Sequence, residues 1–233
     1  MKLTQFLRNQ GYDLIEGPVR NHKPLQLWLK QIFNKIELYY ANINQAFTSN
    51  VVLEEIEDPA LTVTSNHKNE YNFNIGMTVL DEILKSQGFT NFEIASKITT
   101  GKSVVISYSD SVTKEVPVGI LENYLSNADF VHPNPALLRN ANQDNIIVIT
   151  GVVYAKNLIV EIETDFNVNA DLMADLFKIF NGKLDFSILN QNTVKMTSNG
   201  ANLFPIAIKA NRINFDKSVF NKLILVSDNR NFF

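Results

Sequence analysis

The sequence predicts an α+β fold, in which a single domain holds a twisted, mainly antiparallel sheet flanked by helices. One observation behind this prediction is that strand-like segments follow one another between the helical segments, instead of each strand being followed by a helix. A second is the stretch at residues 145–167, where a continuous apolar run turns into strict alternation of apolar and charged residues. A third is that the 233 residues contain no linker-like or low-complexity stretch, which favours one domain.

The first half of the chain predicts short strands and two helical segments. Residues 3–9 carry apolar side chains on one side and form a short helix that ends near Gly11. Residues 77–85 form an amphipathic helix that stops at Gly88. Short strands are predicted at residues 51–57, 60–64, 71–75, 92–95 and 103–107.

The second half predicts three helices among longer strands. Pro117 opens a helix over residues 117–130, and Pro133 and Pro135 begin a second, shorter one. Residues 170–180 form a third helix with one apolar face, to which Phe177 belongs. Strands with alternating polarity follow at residues 184–188, 194–196 and 204–210, with a hairpin turn at residues 199–200.

The stretch at residues 145–167 has the clearest pattern in the chain. Residues 146–154 are mainly β-branched, which is typical of a strand buried on both faces. A short break is predicted at residues 155–157. Beyond it, apolar and acidic residues alternate, so the strand has one apolar face and one wet face. That pattern fits a half-exposed sheet over a core, and it equally fits a strand in the wall of a pore. The acidic side chains are Glu161, Glu163 and Asp165.

Composition excludes several classes of function. The net charge of -3 and the pI near 5.7 argue against general nucleic-acid binding, which usually needs a basic surface. There is no cysteine, so disulfides, thiolate metal sites and cysteine nucleophiles are excluded. The first residues do not form a secretory signal, and no apolar run reaches the ~20 residues of a membrane-spanning helix. These features predict a cytoplasmic protein.

The sequence contains no motif for catalysis, cofactor binding or metal binding. Thr100-Gly101-Lys102-Ser103 resembles part of a phosphate-binding loop, yet the position of its first glycine is Ser96, and a strand rather than a helix follows. The three histidines lie far apart in the chain. Acidic residues on one strand face usually form a solvated surface. We therefore predict no catalytic residue, no cofactor and no metal.

Segments spread along residues 4–216 resemble, in the same order, the bacterial gasdermins, which are prokaryotic relatives of the animal gasdermin pore-forming domains. The strand segment that begins at Asn145 is the best anchor of this resemblance. The family commonly has an acidic residue where this chain has Gly151. The similar segments are FLRNQGYDLI, KPLQLWLK, FNIGMTVLDEILKSQG, SVVISYSDSVTKEVPVGILENYLSNADF, NIIVITGVVYAKNLIVEI and IAIKANRINF.

The resemblance implies a pore-forming cell-death effector of antiphage defence and not an enzyme. Members rest as monomers in the cytoplasm, where a short C-terminal segment packs on the sheet and keeps them inactive. An activating protease, often caspase-like, removes that segment. The freed domain forms a homo-oligomer, and its hairpins refold into a large β-barrel in the inner membrane. The resemblance thus divides the chain into a gasdermin-like pore-forming domain at residues 1–216 and a C-terminal segment at residues 217–233.

By the same resemblance, two hairpin regions would enter the membrane. The first comes from residues 51–108, and the second combines residues 146–166 with residues 184–213. In the resting protein the apolar side chains of the second region should form core, so insertion would change their partners and keep their pattern. The candidate lipid-facing residues are Leu158, Val160, Ile162, Phe166, Phe186, Ile188, Phe204, Ile206 and Ile208.

The C-terminal segment is open to two interpretations. It is either an inhibitory plug, whose removal exposes an apolar groove, or the last strand of the core, whose removal unfolds the domain. Candidate cleavage positions, for proteases of different specificity, are Lys217, Asp228 and Arg230. The candidate inhibitory side chains are Phe220, Leu223, Ile224, Leu225, Val226, Phe232 and Phe233.

One departure from the family concerns how the protein would reach a membrane. Many members carry an N-terminal cysteine that is acylated, and this chain has none. Capture by anionic lipids would therefore rest on apolar surface and on the excess of basic over acidic side chains in the first forty residues.

Three alternatives remain open at this stage. The chain could be a non-catalytic interaction module that uses the same sheet to bind a partner protein. It could be a gasdermin-like pore former that a partner subunit controls, with no cleavage. An enzyme with a site assembled from scattered loops is the third.

Overall fold

The computed structural model describes residues 7–15, 22–30, 36–58, 73–74, 103–131, 134–165, 167–180, 184–198 and 203–226. Within these residues the strands form an eleven-stranded sheet and a separate two-stranded one, with every pairing antiparallel, so the predicted α+β fold is confirmed. The strands are β1 (Asp13–Leu14), β2 (Leu27–Leu29), β3 (Glu37–Tyr40), β4 (Phe47–Thr48), β5 (Ile56–Asp58), β6 (Phe73–Asn74), β7 (Ser103–Glu115), β8 (Asp129–Phe130), β9 (Ile146–Glu163), β10 (Leu184–Asn190), β11 (Thr193–Ser198), β12 (Phe204–Asp216) and β13 (Val219–Leu225). The helices are α1 (Val118–Ser126), α2 (Pro135–Asn142) and α3 (Ala170–Phe180), with a 3-10 turn at Ile43–Gln45.

Strand β9 is the centre of the large sheet. At 18 residues it is long enough for two strands to pair along each of its edges. On one edge, β2 pairs with its first residues and β7 with the rest, from Gly151 opposite Glu115 to Glu163 opposite Ser103. On the other edge, β12 pairs with the first half and β11 with the last residues. Four strands, β2, β7, β11 and β12, are therefore hydrogen-bonded to β9 directly, and β10 joins the sheet through β11.

The two halves of β9 are buried to different extents, as the sequence predicts. Side chains from Ile146 to Ile149 alternate between two hydrophobic clusters, and those from Val152 to Tyr154 all belong to one of them. Ile147 and Ile149 belong to the cluster around Trp28, and Ile146 belongs to the cluster around Phe47, Leu121 and Leu125. From Leu158 to Glu163 the even-numbered positions are buried and the odd-numbered ones are half-buried or exposed, since the other face is wet. The first half is thus an anchor, and the second half is covered on one side only.

The predicted break at residues 155–157 is wrong, because β9 runs through it without interruption. The long partner β7 supplies the reason: it pairs continuously across this region, with Ser111 opposite Ala155 and Asp110 opposite Lys156. Backbone pairing with a thirteen-residue neighbour outweighs the weak strand preference of the polar residues here. The irregularities fall in the β9–β12 pair instead, which shifts register at two points.

The structure confirms some of the other predicted elements, corrects the bounds of others and does not describe the rest. The helix from Pro117 is confirmed but ends at Ser126, since residues 129–130 pair with β4 instead. The predicted strand at residues 51–57 shrinks to β5. The helix opened by Pro135 is confirmed; the Asn134 side chain caps it by accepting the Ala136 backbone N–H at 2.9 Å. Strands at residues 103–107, 184–188, 194–196 and 204–210 and the helix at 170–180 are confirmed as well. The predictions at residues 60–64, 77–85, 92–95 and 199–200 lie outside the described residues.

Because several tyrosines are buried, we expect the protein to lose stability at alkaline pH. Tyr124 of α1 donates its hydroxyl to the carbonyl of Phe47 at 2.7 Å and to the side chain of Asn44 at 2.8 Å. Burial raises the pKa of Tyr124 to about 12, from an ordinary value near 10. Since the folded pKa exceeds the unfolded one, this contribution to stability is complete below pH 10 and is lost as the pH rises toward 12.

The measurement is urea unfolding followed by circular dichroism between pH 8 and pH 12. We expect the midpoint to stay constant up to about pH 10 and then to fall. In the Tyr124→Phe variant the urea midpoint should still fall above pH 10, but by less, because burial also raises the pKa of Tyr12 and Tyr154. A midpoint that does not change up to pH 12 would contradict the prediction.

Candidate functional site

Most of the candidate lipid-facing residues lie together in one hydrophobic cluster. Their side chains are buried, as expected for a resting form that keeps them in its core. Ile188 departs from that expectation, since 45% of its surface is exposed, and Phe166 lies outside the described residues. The residues that the structure brings into this cluster are Leu158, Val160, Ile162, Phe186, Phe204, Ile206 and Ile208.

Among the helices of the described residues, α3 is the one that packs against the second half of this cluster. Leu176 of α3 is fully buried, and Leu172 and Met173 are half-buried against the cluster residues. Phe177 was predicted on the same face, but 47% of its surface is exposed, which corrects that prediction. In the described part of the chain, this amphipathic helix of 11 residues therefore adds its apolar face to the cluster and packs chiefly on β10.

The opposite face of the same strands is polar, as predicted. Glu163 and Asp165 are exposed, and Glu161 is half-buried. Glu163 accepts a hydrogen bond from the Ser103 hydroxyl at 3.0 Å across the β7–β9 pair. Glu161 lies opposite Lys195 of β11, a pair of opposite charges on neighbouring strands. These acidic residues form a solvated face and not a carboxylate site, as interpreted from the sequence.

A polar cluster that the sequence did not predict lies at the middle of β9. Gly151 pairs with Glu115 on one side and with Lys209 on the other, so the three residues form a row across β7, β9 and β12. The side chain of Tyr12 lies over this row. Its hydroxyl donates to the Glu115 carboxylate at 2.9 Å, and the Lys209 ammonium bonds the other oxygen of that carboxylate. The only sequence signal for this site was a glycine inside a β-branched run, which often marks a close approach.

Tyr12 explains why the chain carries glycine at position 151. A β-carbon added at Gly151 would lie 2.5 Å from the Tyr12 hydroxyl oxygen and 3.1 Å from two ring carbons. Burial, followed by the nearby Glu115 charge, raises the pKa of Tyr12 far above its ordinary value, so the hydroxyl stays protonated and donates. The ring also faces the Lys209 ammonium, 5.7 Å from its centroid.

The C-terminal candidates lie on an edge strand and in the turn before it. β13 pairs with β12 from Asp216 opposite Val219 to Asn211 opposite Leu225, so this part of the segment belongs to the sheet. Phe220 and Leu223 are half-buried against the cluster around Phe47, Val226 is half-buried against the other cluster, and Ile224 and Leu225 are more than 40% exposed. The rings of Phe220 and Phe215 lie 5.9 Å apart at their centroids. Asp228, Arg230, Phe232 and Phe233 lie outside the described residues.

Lys217 lies in a tight turn that a neighbouring helix holds. Lys217 and Ser218 both have positive φ angles, 48° and 68°, as the central residues of a two-residue hairpin. The backbone N–H of Ser218 donates to the side chain of Asn142, at the end of α2, at 2.7 Å. Of the candidate cleavage positions, the structure thus describes one, and it places that one in a constrained turn.

The described part of the chain also bears on metal binding and on membrane-spanning helices. No group of three or more histidine or acidic residues there is arranged to hold a metal ion. No helix in the described ranges is both long and apolar enough to cross a membrane.

Comparison with known proteins agrees with this arrangement. A solved structure of a bacterial gasdermin from Bradyrhizobium tropiciagri has a similar fold, with a TM-score of 0.56 at 14% identity. The similarity covers 94% of this chain and 89% of that one. A search of curated proteins finds no match. The model of the bacterial gasdermin family matches residues 15–220, which is most of the chain. The chain therefore belongs to the bacterial gasdermin family.

Proposed function

We propose that this protein is a non-enzymatic, pore-forming cell-death effector in antiphage defence. It rests as a cytoplasmic monomer, called here the resting form, with the arrangement described above. Proteolytic release of the C-terminal segment lets it oligomerise on anionic lipids of the inner membrane. There, β7 and β9–β12 contribute membrane-spanning strands. A caspase-like or other protease is the activating partner.

The observation that carries the proposal is the two-faced sheet around the second half of β9. A tilted spanning strand needs ~9–11 residues with alternating polarity. β7 and β9 remain paired over thirteen residues of β7, which exceeds that length. One face of β9 and its neighbour β11 is apolar, and the other face carries Glu161 and Glu163 of β9 and Lys195 of β11. Lifting α3 from the apolar face would leave a sheet with one side suited to lipid and one suited to water.

The C-terminal segment is suited to restrain this rearrangement, because β13 fastens one end of β12. Six residue pairs join the two strands, and Phe220 extends an aromatic cluster that includes Phe47, Phe130 and Phe215. Removing residues 217–233 would free the edge of β12 and expose Phe215, which is now buried. Exposure of an apolar surface favours association with a membrane or with further copies.

The integration of β13 into the sheet also favours one second candidate. A strand paired at six positions is costly to remove, and Lys217 lies in a turn that Asn142 holds. Both features fit a pore former that a partner subunit opens without cleavage. The two candidates share the pore and differ only in the trigger.

The test is dye release from anionic, cardiolipin-containing liposomes. It compares the full chain with a chain that ends at Asp216, and with that shorter chain carrying Ile188→Lys. Ile188 lies on the same face of β10 as Leu184 and Phe186 but is exposed in the resting form, so the change should cost little stability there. A lysine that faces lipid near the membrane midplane costs about 2–4 kcal/mol.

We expect the shorter chain to release dye, the full chain to remain silent, and Ile188→Lys to reduce release at least about tenfold. The matched control is Ser187→Lys, which adds the same charge to the neighbouring exposed residue on the other face of β10. It should stay within about twofold of the shorter chain. A shorter chain that folds but stays silent would refute release by cleavage at this point. Equal release by the two lysine variants would refute the assignment of the faces.

A further inference from the structure

The N-terminal segment at residues 7–15, called here the N-terminal clasp, is joined to the sheet by buried apolar side chains and by strand pairing. Leu7, Tyr12 and Ile15 are buried in the cluster that contains the second half of β9. Its strand β1 pairs Asp13 with Ile208 of β12. The Arg8 guanidinium also bonds the Asp13 carboxylate at 2.9 Å, which closes the segment on itself.

Tyr12 connects the clasp to strands that lie on both sides of β9. β7 pairs with β9 from Gly151 onwards, and β12 pairs with β9 only as far as Ala155. Residues 151–155 are therefore the section of β9 that pairs with both β7 and β12. The row of Glu115, Gly151 and Lys209 crosses the sheet at one end of the section. Tyr12 and Lys209 both bond the Glu115 carboxylate, so β7 is joined to the clasp and to β12 by one charged group. Bonds to a charged acceptor are stronger than neutral ones.

Movement of β7 and β9 away from the resting arrangement has to break this junction. Glu115 is the last residue of β7, and its carboxylate would leave both Tyr12 and Lys209 if β7 turned or slid along β9. Tyr12 would in turn lose the close contact with Gly151 that places its ring. None of these residues belongs to the C-terminal segment, so removing that segment leaves the junction in place.

We propose that the N-terminal clasp is a second restraint on the pore-forming rearrangement, separate from the C-terminal segment, and that Tyr12 must leave Glu115 before β7 and β9 extend. The inference rests on the proposed function. It predicts that weakening the clasp loosens residues 7–15 and their neighbours on β12 while the rest of the sheet stays protected. It also predicts that the clasp limits the rate of pore formation after the C-terminal segment has gone.

The test uses Tyr12→Phe, which removes one hydroxyl and keeps the ring. Its matched control is Tyr124→Phe, which removes a buried and hydrogen-bonded hydroxyl from the other cluster. In the full chain, we expect Tyr12→Phe to raise amide hydrogen exchange about tenfold at residues 12–15 and 207–209. Tyr124→Phe should leave exchange there unchanged. In the chain that ends at Asp216, Tyr12→Phe should speed dye release about threefold or more relative to Tyr124→Phe.

Gly151→Ala provides a second variant that keeps every side chain of the junction. Its methyl group overlaps the Tyr12 hydroxyl, so it should produce the same local rise in exchange. Unchanged exchange at residues 12–15 in both variants would overturn the clasp, whatever the liposomes do. If these variants speed amide exchange but do not speed dye release by a shorter chain that is active, the clasp does not act as a restraint on pore formation. If the shorter chain is silent, the proposed function fails, whereas exchange still decides whether Tyr12 holds the junction.

Discussion

Replacing Ile162 with aspartate is expected to remove a large part of the stability of the resting form. Ile162 is completely buried and lies between Val104 of β7 and Val194 of β11 on the apolar face. A carboxylate there would either stay charged without water or become protonated at the cost of a large pKa shift. We expect a loss of about 4 kcal/mol or more, against a total stability of about 5–15 kcal/mol for a typical domain. Urea unfolding followed by the fluorescence of Trp28, the only tryptophan, measures it.

The control is Ile159→Asp, which places the same carboxylate on the wet face of the same strand. Ile159 is half-buried and lies on the side of β9 that carries Glu161 and Glu163. We expect this change to cost only about 1 kcal/mol. Equal losses in the two variants would show that the faces of β9 are assigned wrongly. The large effect at Ile162 also means that a silent Ile162→Asp variant says nothing about membrane insertion, which is why Ile188 is the better position for that question.

The second large effect is expected for Trp28→Ala, at the other half of β9. Trp28 is the largest of the fully buried side chains and lies on β2, directly opposite Ile147. Removing a buried aromatic ring leaves a cavity and costs about 3–5 kcal/mol. Thermal unfolding by circular dichroism measures it, since the variant has no tryptophan to follow.

The control for this prediction is a substitution on the neighbouring strand β3. Leu38 lies opposite Trp28 on β3, and 44% of its surface is exposed, so Leu38→Ala should cost no more than about 1 kcal/mol. A Trp28→Ala variant as stable as Leu38→Ala would show that β2 does not anchor the first half of β9. We expect Trp28→Ala to lower the stability of the whole fold, because this half is packed on both faces.

The two predictions describe one strand with two roles. The half near Trp28 is enclosed between two clusters and has no wet face. The half near Ile162 has a solvated face and an apolar face, which lies in the cluster to which α3 contributes Leu176. In the proposed mechanism the first half holds the fold together, while the second half changes its partners.

The sequence predicted those features that depend on pattern alone. Alternation at residues 158–165 correctly indicated which side chains of β9 are buried, because burial on one sheet face imposes a period of two. Features that depend on distant partners were missed. The predicted break at residues 155–157 was wrong because pairing with β7 decides whether β9 continues there. Ile188 was expected in the core by its alternation, yet it lies beside a bulge in the β10–β11 pair and is exposed.

The junction at Tyr12 could not be predicted from the pattern for a similar reason. Tyr12 and Glu115 are 103 positions apart in the chain, and Glu115 and Lys209 are 94 positions apart. No local spacing relates residues at such separations, and only the topology brings them to one row. The glycine at position 151 was visible in the sequence, but its reason is the ring of a tyrosine from the other end of the domain.

The position of β12 next to β9 also sets the order in which a newly made chain can fold. Asp13 pairs with Ile208, so the N-terminal clasp has no partner strand until the ribosome has made nearly the whole domain. At 5–20 residues per second, about 10–40 s separate the synthesis of those two residues. From the synthesis of β9 until that of β12, one edge of β9 lacks this partner, and an unpaired edge of apolar strands is a template for aggregation. The nascent chain is therefore most exposed to misassembly late in translation, and that exposure ends when β12 reaches the sheet.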